Sequence, residues 1–154
     1  MSRAEYAPEC LGEAARLIES GLADCVLMKG GAITDKASGI GVKPIIRFLE
    51  DKPGCLKGAD VADKIVGKAA AMLLVFGGAD YVYGGIMSES AKDYLDSRGV
   101  GNSCGDAGLI KMIKNRSGTG MCPLEQSVVG IEDPQEGYAA IKKTIERLMA
   151  ESNK

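Results

Sequence analysis

The chain has 154 residues, 45% hydrophobic and 26% charged, with a formal net charge of −2 and no histidine. That is one domain's worth of chain, able to bury roughly two-thirds of its unfolded surface without help from a disulfide or a metal. The charge excludes the basic face that nucleic-acid binding needs, the 5% of aromatic residues leaves few base-stacking platforms, and the missing imidazole excludes histidine-dependent chemistry.

In chain order, residues 8–20 read as a helix, with Leu11, Ala14, Leu17 and Ile18 on one face and Gly21 as its stop. Two short apolar runs, 24–28 and 32–35, flank Lys29-Gly30-Gly31 and predict a β-hairpin. Residues 42–51 form a short helix through Val42, Ile45, Ile46 and Leu49, with Pro44 tolerated in the first turn. The strongest helical pattern runs over 60–76. Its first half is amphipathic, its second half is apolar all round and hence buried, and Gly77-Gly78 ends it.

Residues 81–87 read as a strand, followed by a helix capped by Ser88, running to Arg98 and stopped by Gly99. A weak strand follows over 100–104, and 109–115 suits either a strand or a short helix. Beyond Gly118-Thr119-Gly120, residues 123–129 supply one or two helical turns. Asp133-Pro134-Gln135-Glu136 then opens the last helix as a capping box, and Tyr138, Ile141, Ile145 and Leu148 form its docking seam. A hairpin feeding a strand–helix–strand crossover implies a mixed sheet covered on both faces.

The five cysteines are odd in number, widely spread and without a CxxC pair, so reduced and mostly buried thiols are expected. Residues 1–5 lack the apolar stretch of a signal peptide, and the longest apolar run, 69–76, is too short to span a bilayer. A cytoplasmic location is expected.

Ligands in such sheets sit at the carboxyl ends of strands, beside the helices that follow. That rule selects three predicted helix starts. The first is Gly58-Ala59-Asp60-Val61-Ala62-Asp63-Lys64. Asp60 is a natural N-cap and Asp63 imitates part of a capping box. Lys64 and Lys68, one helical turn apart, add a cationic stripe. A lysine desolvated beside another ammonium is depressed in pKa and can serve as a base, while plain i,i+4 pairing of Asp60 with Lys64 accounts for the same residues more simply.

The second start is Met87-Ser88-Glu89-Ser90, where the hydroxyl of Ser88 and free N–H groups suit an oxyanion or phosphate. An ordinary N-cap with Glu89 in the first turn needs no more than that. The third is the run from Arg116 to Gln126. Gly118, Thr119 and Gly120 allow a tight loop with inward N–H groups, although the lysine and hydroxyl of a P-loop are lacking. Cys122 precedes Pro123 at a helix start near Arg116, the setting in which a thiol becomes nucleophilic. With no histidine, Glu125 or a lysine would have to assist it.

Three stretches carry a resemblance: Gly41-Val42-Lys43-Pro44, the run from Leu56 to Ala70, and Gly118-Thr119-Gly120-Met121-Cys122-Pro123-Leu124-Glu125. Together they resemble a small uncharacterised prokaryotic family of the cytidine deaminase-like superfamily, over roughly residues 23–148. The resemblance implies a three-layer α/β/α sandwich with a mixed sheet. Zinc deaminases of that superfamily carry H-x-E at one helix start and P-C-x-x-C at the next. The matching positions here are Val61-Ala62-Asp63 and Ser88-Glu89-Ser90-Ala91, so the zinc ligands are absent and Asp63 lies where the acid/base glutamate would be.

The expectation is one cytidine deaminase-like α/β domain over residues 1–154 that binds a small polar or nucleotide-like ligand and supports metal-free chemistry, with no cofactor. Asp63 would handle protons, Lys64 supply charge and Cys122 act as nucleophile in any covalent step. Asp60, Lys68, Ser88, Glu89, Gly118, Thr119, Gly120 and Glu125 would contact the ligand. A non-catalytic binding or regulatory module, or a thiol-dependent activity at Cys122, are the competing readings. Neither nucleic acid nor membrane is expected as a partner, and a homo-oligomer is left open.

Overall fold

The computed structural model describes residues 8–106 and 108–152. The signal-peptide reading of residues 1–5 lies outside them. The chain opens with α1 (Leu11–Glu19), whose buried Ala14 and Ile18 lie one helical turn apart. Pro8 stands before this helix, so the start expected at residue 8 moves to residue 11. β1 (Cys25–Lys29) and β2 (Ala32–Ala37) form the expected antiparallel hairpin, with Gly30 and Gly31 at positive φ in its turn.

After α2 (Lys43–Asp51) comes β3 (Asp60–Val66), then α3 (Lys68–Gly77). This corrects the reading of 60–76 as one helix. Val61 and Ile65 fit an i,i+4 spacing, yet the segment is rich in β-branched residues and Gly67 interrupts it in an extended conformation (φ −95, ψ 179). Hydrogen bonding decides the matter, because β3 lies between β1 and β4, where helical backbone would leave the facing edge of each neighbour unpaired. The second half of that reading holds: six consecutive residues of α3, from Ala69 to Leu74, are buried.

β4 (Tyr81–Ser88), α4 (Glu89–Ser97) and β5 (Gly101–Cys104) complete two parallel crossovers. β6 is only Leu109–Ile110, and it pairs with β4 beyond the end of β5. Gly105 and Gly108 make the transition, their backbone bonding to Gly84 and Met87. The remainder of 109–115 is irregular, with Lys114 bridging to Met121. α5 (Pro123–Ser127) and α6 (Pro134–Ser152) close the chain, and Asp133 Oδ2 accepts the Glu136 amide at 3.0 Å as the capping box requires.

The sheet order is β2-β1-β3-β4-β5, with β1 antiparallel to both neighbours and β3, β4 and β5 parallel. Helices cover both faces, giving an α/β sandwich around a mixed sheet. Alternation along β3 sorts its side chains. Ala62 joins Val26, Met28, Tyr81 and Tyr83 beneath α1, while Val61 and Val66 face the larger core built on α2, α3 and α4. α6 packs over α3, where Phe76 and Tyr138 stack with ring centroids 4.7 Å apart.

The alternation breaks once. Lys64 and Ile65 are both exposed, and of their neighbours in β4 Gly85 is half-buried and Ile86 exposed. The bend leaves Asp63 as a charged residue type on the core side of a central strand. Among the described residues, no helix is long and apolar enough to cross a membrane.

Candidate functional site

Asp63 is 3% exposed. Its Oδ1 accepts the amide of Lys64 at 2.9 Å, while its buried Oδ2 has no hydrogen-bond partner. An unsatisfied buried polar atom costs on the order of 1–3 kcal/mol, so a fold retains one for a reason. Burial, reinforced by the nearby charge of Asp24 and opposed by the Lys64 amide, pushes the carboxyl up to about 8. The side chain is therefore mostly a neutral acid at pH 7, able to donate through one oxygen and accept through the other.

This group lies on a cleft of about 320 Å³. α3 contributes Ala69 and Ala70 to it, the β2–α2 connection contributes Gly39, Ile40, Gly41 and Val42, and the segment before and through α5 contributes Ile113, Lys114, Arg116, Cys122, Leu124 and Glu125. The volume lies at the small end of the range for metabolite pockets. Most of the wall is apolar, with a few polar groups that would orient a guest.

Glu125 has a structural task on the same wall. Its Oε2 accepts the Ala69 amide at 2.8 Å, so it caps α3 across a separation of 56 residues. Gly67, the N-cap residue of α3, supplies no side-chain cap of its own. Burial raises the pKa of Glu125, while the Ala69 and Lys68 amides and the Lys68 charge lower it in part.

Of the expected site residues, Asp63, Lys64, Cys122 and Glu125 meet on this cleft. Cys122 is the N-cap residue of α5, half-buried and without a side-chain cap bond. Ser88 and Glu89 are elsewhere. Ser88 Oγ accepts the Ala91 amide at 3.1 Å and lies 3.1 Å from Ser90 Oγ, which makes it the N-cap of α4. Lys68 faces two neighbouring cavities that it shares with Ser90. It sits 3.4 Å from Glu132 and 6.0 Å from the centre of the Tyr94 ring.

Asp60 and Lys64 belong to a strand, not to one helical face, so the expected i,i+4 pair does not form; residues four apart there are separated by about 13 Å. Asp60 begins β3, at the opposite end from Gly67. Gly118, Thr119 and Gly120 do not line the cleft. They turn a loop tied together locally, with the Thr119 amide donating to Asn115 Oδ1 at 3.1 Å. The proposed equivalence of Val61-Ala62-Asp63 with a deaminase helix start also fails in its local geometry, because those residues lie inside β3.

Sequence reasoning missed Asp24, Lys114 and the cleft-lining role of the 39–42 connection, and it named Arg116 only as a neighbour of Cys122. The two glycines around Ile40 were the available signal. Gly41 has φ 63, a conformation that favours glycine.

Comparison with known proteins gives a consistent picture of the fold. A family model described as a domain of unknown function (DUF1893) matches residues 13–145. The structure is similar to that of a DUF1893 family protein from Thermotoga maritima, with 24% identity, a TM-score of 0.77, and coverage of 96% of this chain and 95% of that one. No curated protein matches the chain.

Proposed function

The chain belongs to the DUF1893 family of domains of unknown function, and on that premise we propose that it binds a small polar, nucleotide-like ligand in the cytoplasm, with Asp63 as the group that handles a proton. The observation that carries this reading is the orphaned Oδ2 of a buried carboxyl on the wall of a cleft of about 320 Å³. A neutral acid beside an apolar wall pairs well with a planar amide or ring-nitrogen edge. It offers one O–H donor and one carbonyl acceptor, the complement of such an edge.

The deaminase-like assignment belongs to the same proposal. Its support is the leading helix and hairpin, β1 antiparallel to its neighbours, and the parallel β3, β4 and β5. The zinc of that superfamily does not fit the donors present. The helices following β3 and β4 begin with Lys68 and Glu89 behind Gly67 and Ser88, and the chain has no histidine. Among the described residues no cluster of three or more metal-binding side chains occurs. The chemistry proposed is therefore proton transfer at Asp63, without a metal-activated water.

Thermal-shift and calorimetric titration with nucleobases, nucleosides and nucleotides tests the reading. A ligand present at 100 times its dissociation constant stabilises the fold by about 2.7 kcal/mol. At least one member should bind, and Asp63→Ala should weaken it at least tenfold. Turnover abolished in Asp63→Asn with binding retained identifies an enzyme, whereas binding without turnover identifies a recognition module. No binding across the panel, or binding indifferent to Asp63, refutes the proposal.

A further inference from the structure

We infer that this chain forms a two-fold symmetric dimer through the open end of the sheet face that carries α1. Ile65 and Ile86 form the centre of the contact, with Lys64 on one side and Glu19 and Asp106 on the other. The inference goes beyond the ligand binding proposed for the cleft and does not depend on it.

Among the described residues, the helical part of the smaller core on that face comes from α1 and the residue before it. Nine residues make a helix about 13 Å long, and five strands are about 20 Å across, so α1 leaves part of the face bare. The end of α1 is fixed over β4, because a Cβ on Gly85 would lie 3.5 Å from Cγ2 of Ile18. Ile65 and Ile86 pair in register just beyond this point. They alternate with Val66 and Met87, which point into the larger core, so both stand on the α1 face. They are 43% and 38% exposed.

Two further apolar side chains adjoin them. Leu22, 73% exposed, lies in the turn from α1 to Asp24, whose carbonyl accepts the Lys64 amide at 2.9 Å. Ile40, 69% exposed, lines the cleft together with Lys64 and Ile65. Four such side chains expose on the order of 400 Å² of apolar surface, within the range of patches that mark an interface. With a charged rim the face approaches the roughly 800 Å² per partner of a standard interface.

The rim selects a second copy of this chain as the occupant. Lys64 is exposed on β3, two residues after Ala62 on the α1 face. Glu19 ends α1 and Asp106 follows β5, and both are exposed. The two acids share a neighbourhood: after burial, the charges of Glu19, Cys104 and Asp106 push the Tyr83 phenol up. Neither acid nor Lys64 has an ion-pair partner among the described residues. Glu19 also sits where the negative end of the helix dipole disfavours a carboxylate.

Strand order β3-β4-β5 places Lys64 and Asp106 on opposite sides of Ile86. A two-fold axis through Ile86 therefore lays the apolar centre on itself and brings Lys64 of each copy to the acids of the other. A net charge of −2 adds little repulsion between copies.

Sedimentation velocity of the full chain from about 1 µM to about 1 mM should show a monomer–dimer equilibrium. Ile86→Asp should abolish the dimer. Lys64→Glu in one protein, and Glu19→Lys with Asp106→Lys in another, should each weaken self-association at least tenfold, because like charges then face each other. An equimolar mixture of these two proteins should recover a heterodimer, since every facing pair again has opposite signs. Circular dichroism checks that each variant is folded, and recovery in the mixture shows the same of both chains. A monomer throughout, a dimer unmoved by Ile86→Asp, or charge-reversed proteins that stay separate when mixed overturns the inference.

Discussion

A side chain at Gly67 would overlap Oε1 of Glu125, the carboxylate whose other oxygen holds the Ala69 amide at 2.8 Å. The glycine and the glutamate are therefore one device. The strand-to-helix turn must lack a Cβ so that a distant carboxylate can enter and close α3, the most deeply buried helix of the fold.

The first prediction follows from that pairing. Gly67→Ala should destabilise the protein by about 2–4 kcal/mol, through a clash and a displaced cap. Glu125→Ala should cost about 1–3 kcal/mol by leaving a buried amide unsatisfied. In the double variant the clash has no partner, so the combined loss should fall at least 1 kcal/mol short of the sum. Urea denaturation of the four proteins measures this coupling, and strict additivity would contradict it.

Asp63 makes stability depend on pH. Its folded-state value of about 8 lies above the ordinary 3.8, so between those values the folded state holds a proton that the unfolded state releases. Stability must then fall as pH rises from about 4 to about 8, by at most roughly 1.4 kcal/mol per pH unit from this group. Asp63→Asn mimics the neutral acid and removes that slope. Relative to wild type, the variant should gain stability between pH 5 and pH 8. Denaturation at the two pH values decides it, and parallel behaviour of both proteins would show that the carboxyl is ionised throughout.

Ser88 separates a capping role from a binding role. Ser88→Ala should cost about 1 kcal/mol through loss of the bond to the Ala91 amide, and should leave ligand affinity at the Asp63 cleft within about twofold. A large loss of affinity with little loss of stability would return Ser88 to the binding site.

The cysteines differ in accessibility. Cys25 is buried, and its thiol is pushed well above its usual range by burial, with Asp63 and Asp24 adding to the effect; Cys122 is half-buried on the cleft. Maleimide should therefore modify Cys122 well before Cys25, and the adduct should block the cleft to ligands. Cys122→Ala should bind them within about threefold of wild type. Mass spectrometry of the time course checks the order, and turnover that vanishes in Cys122→Ala would instead favour the thiol-dependent reading.

Local chemistry was legible wherever it acted within a few residues. The Lys29-Gly30-Gly31 hairpin, the Ser88 cap, the Asp133 box and the apolar run of α3 all follow from neighbouring side chains satisfying neighbouring backbone. Residues 60–66 did not yield to that logic. Their apolar spacing fits a helix, and only the flanking strands β1 and β4, which supply hydrogen-bond partners on both sides, make them a strand.

The missing histidine was also certain from the sequence, and with it the exclusion of histidine chemistry. Identifying Asp63, Cys122 and Glu125 as residues of interest required only their types and motifs. Bringing them onto one cleft with Arg116, leaving Oδ2 of Asp63 without a partner and assigning Glu125 to the start of α3 were decided by tertiary structure. Burial and long-range hydrogen bonding depend on segments tens of residues apart, and no local pattern records which of them will meet.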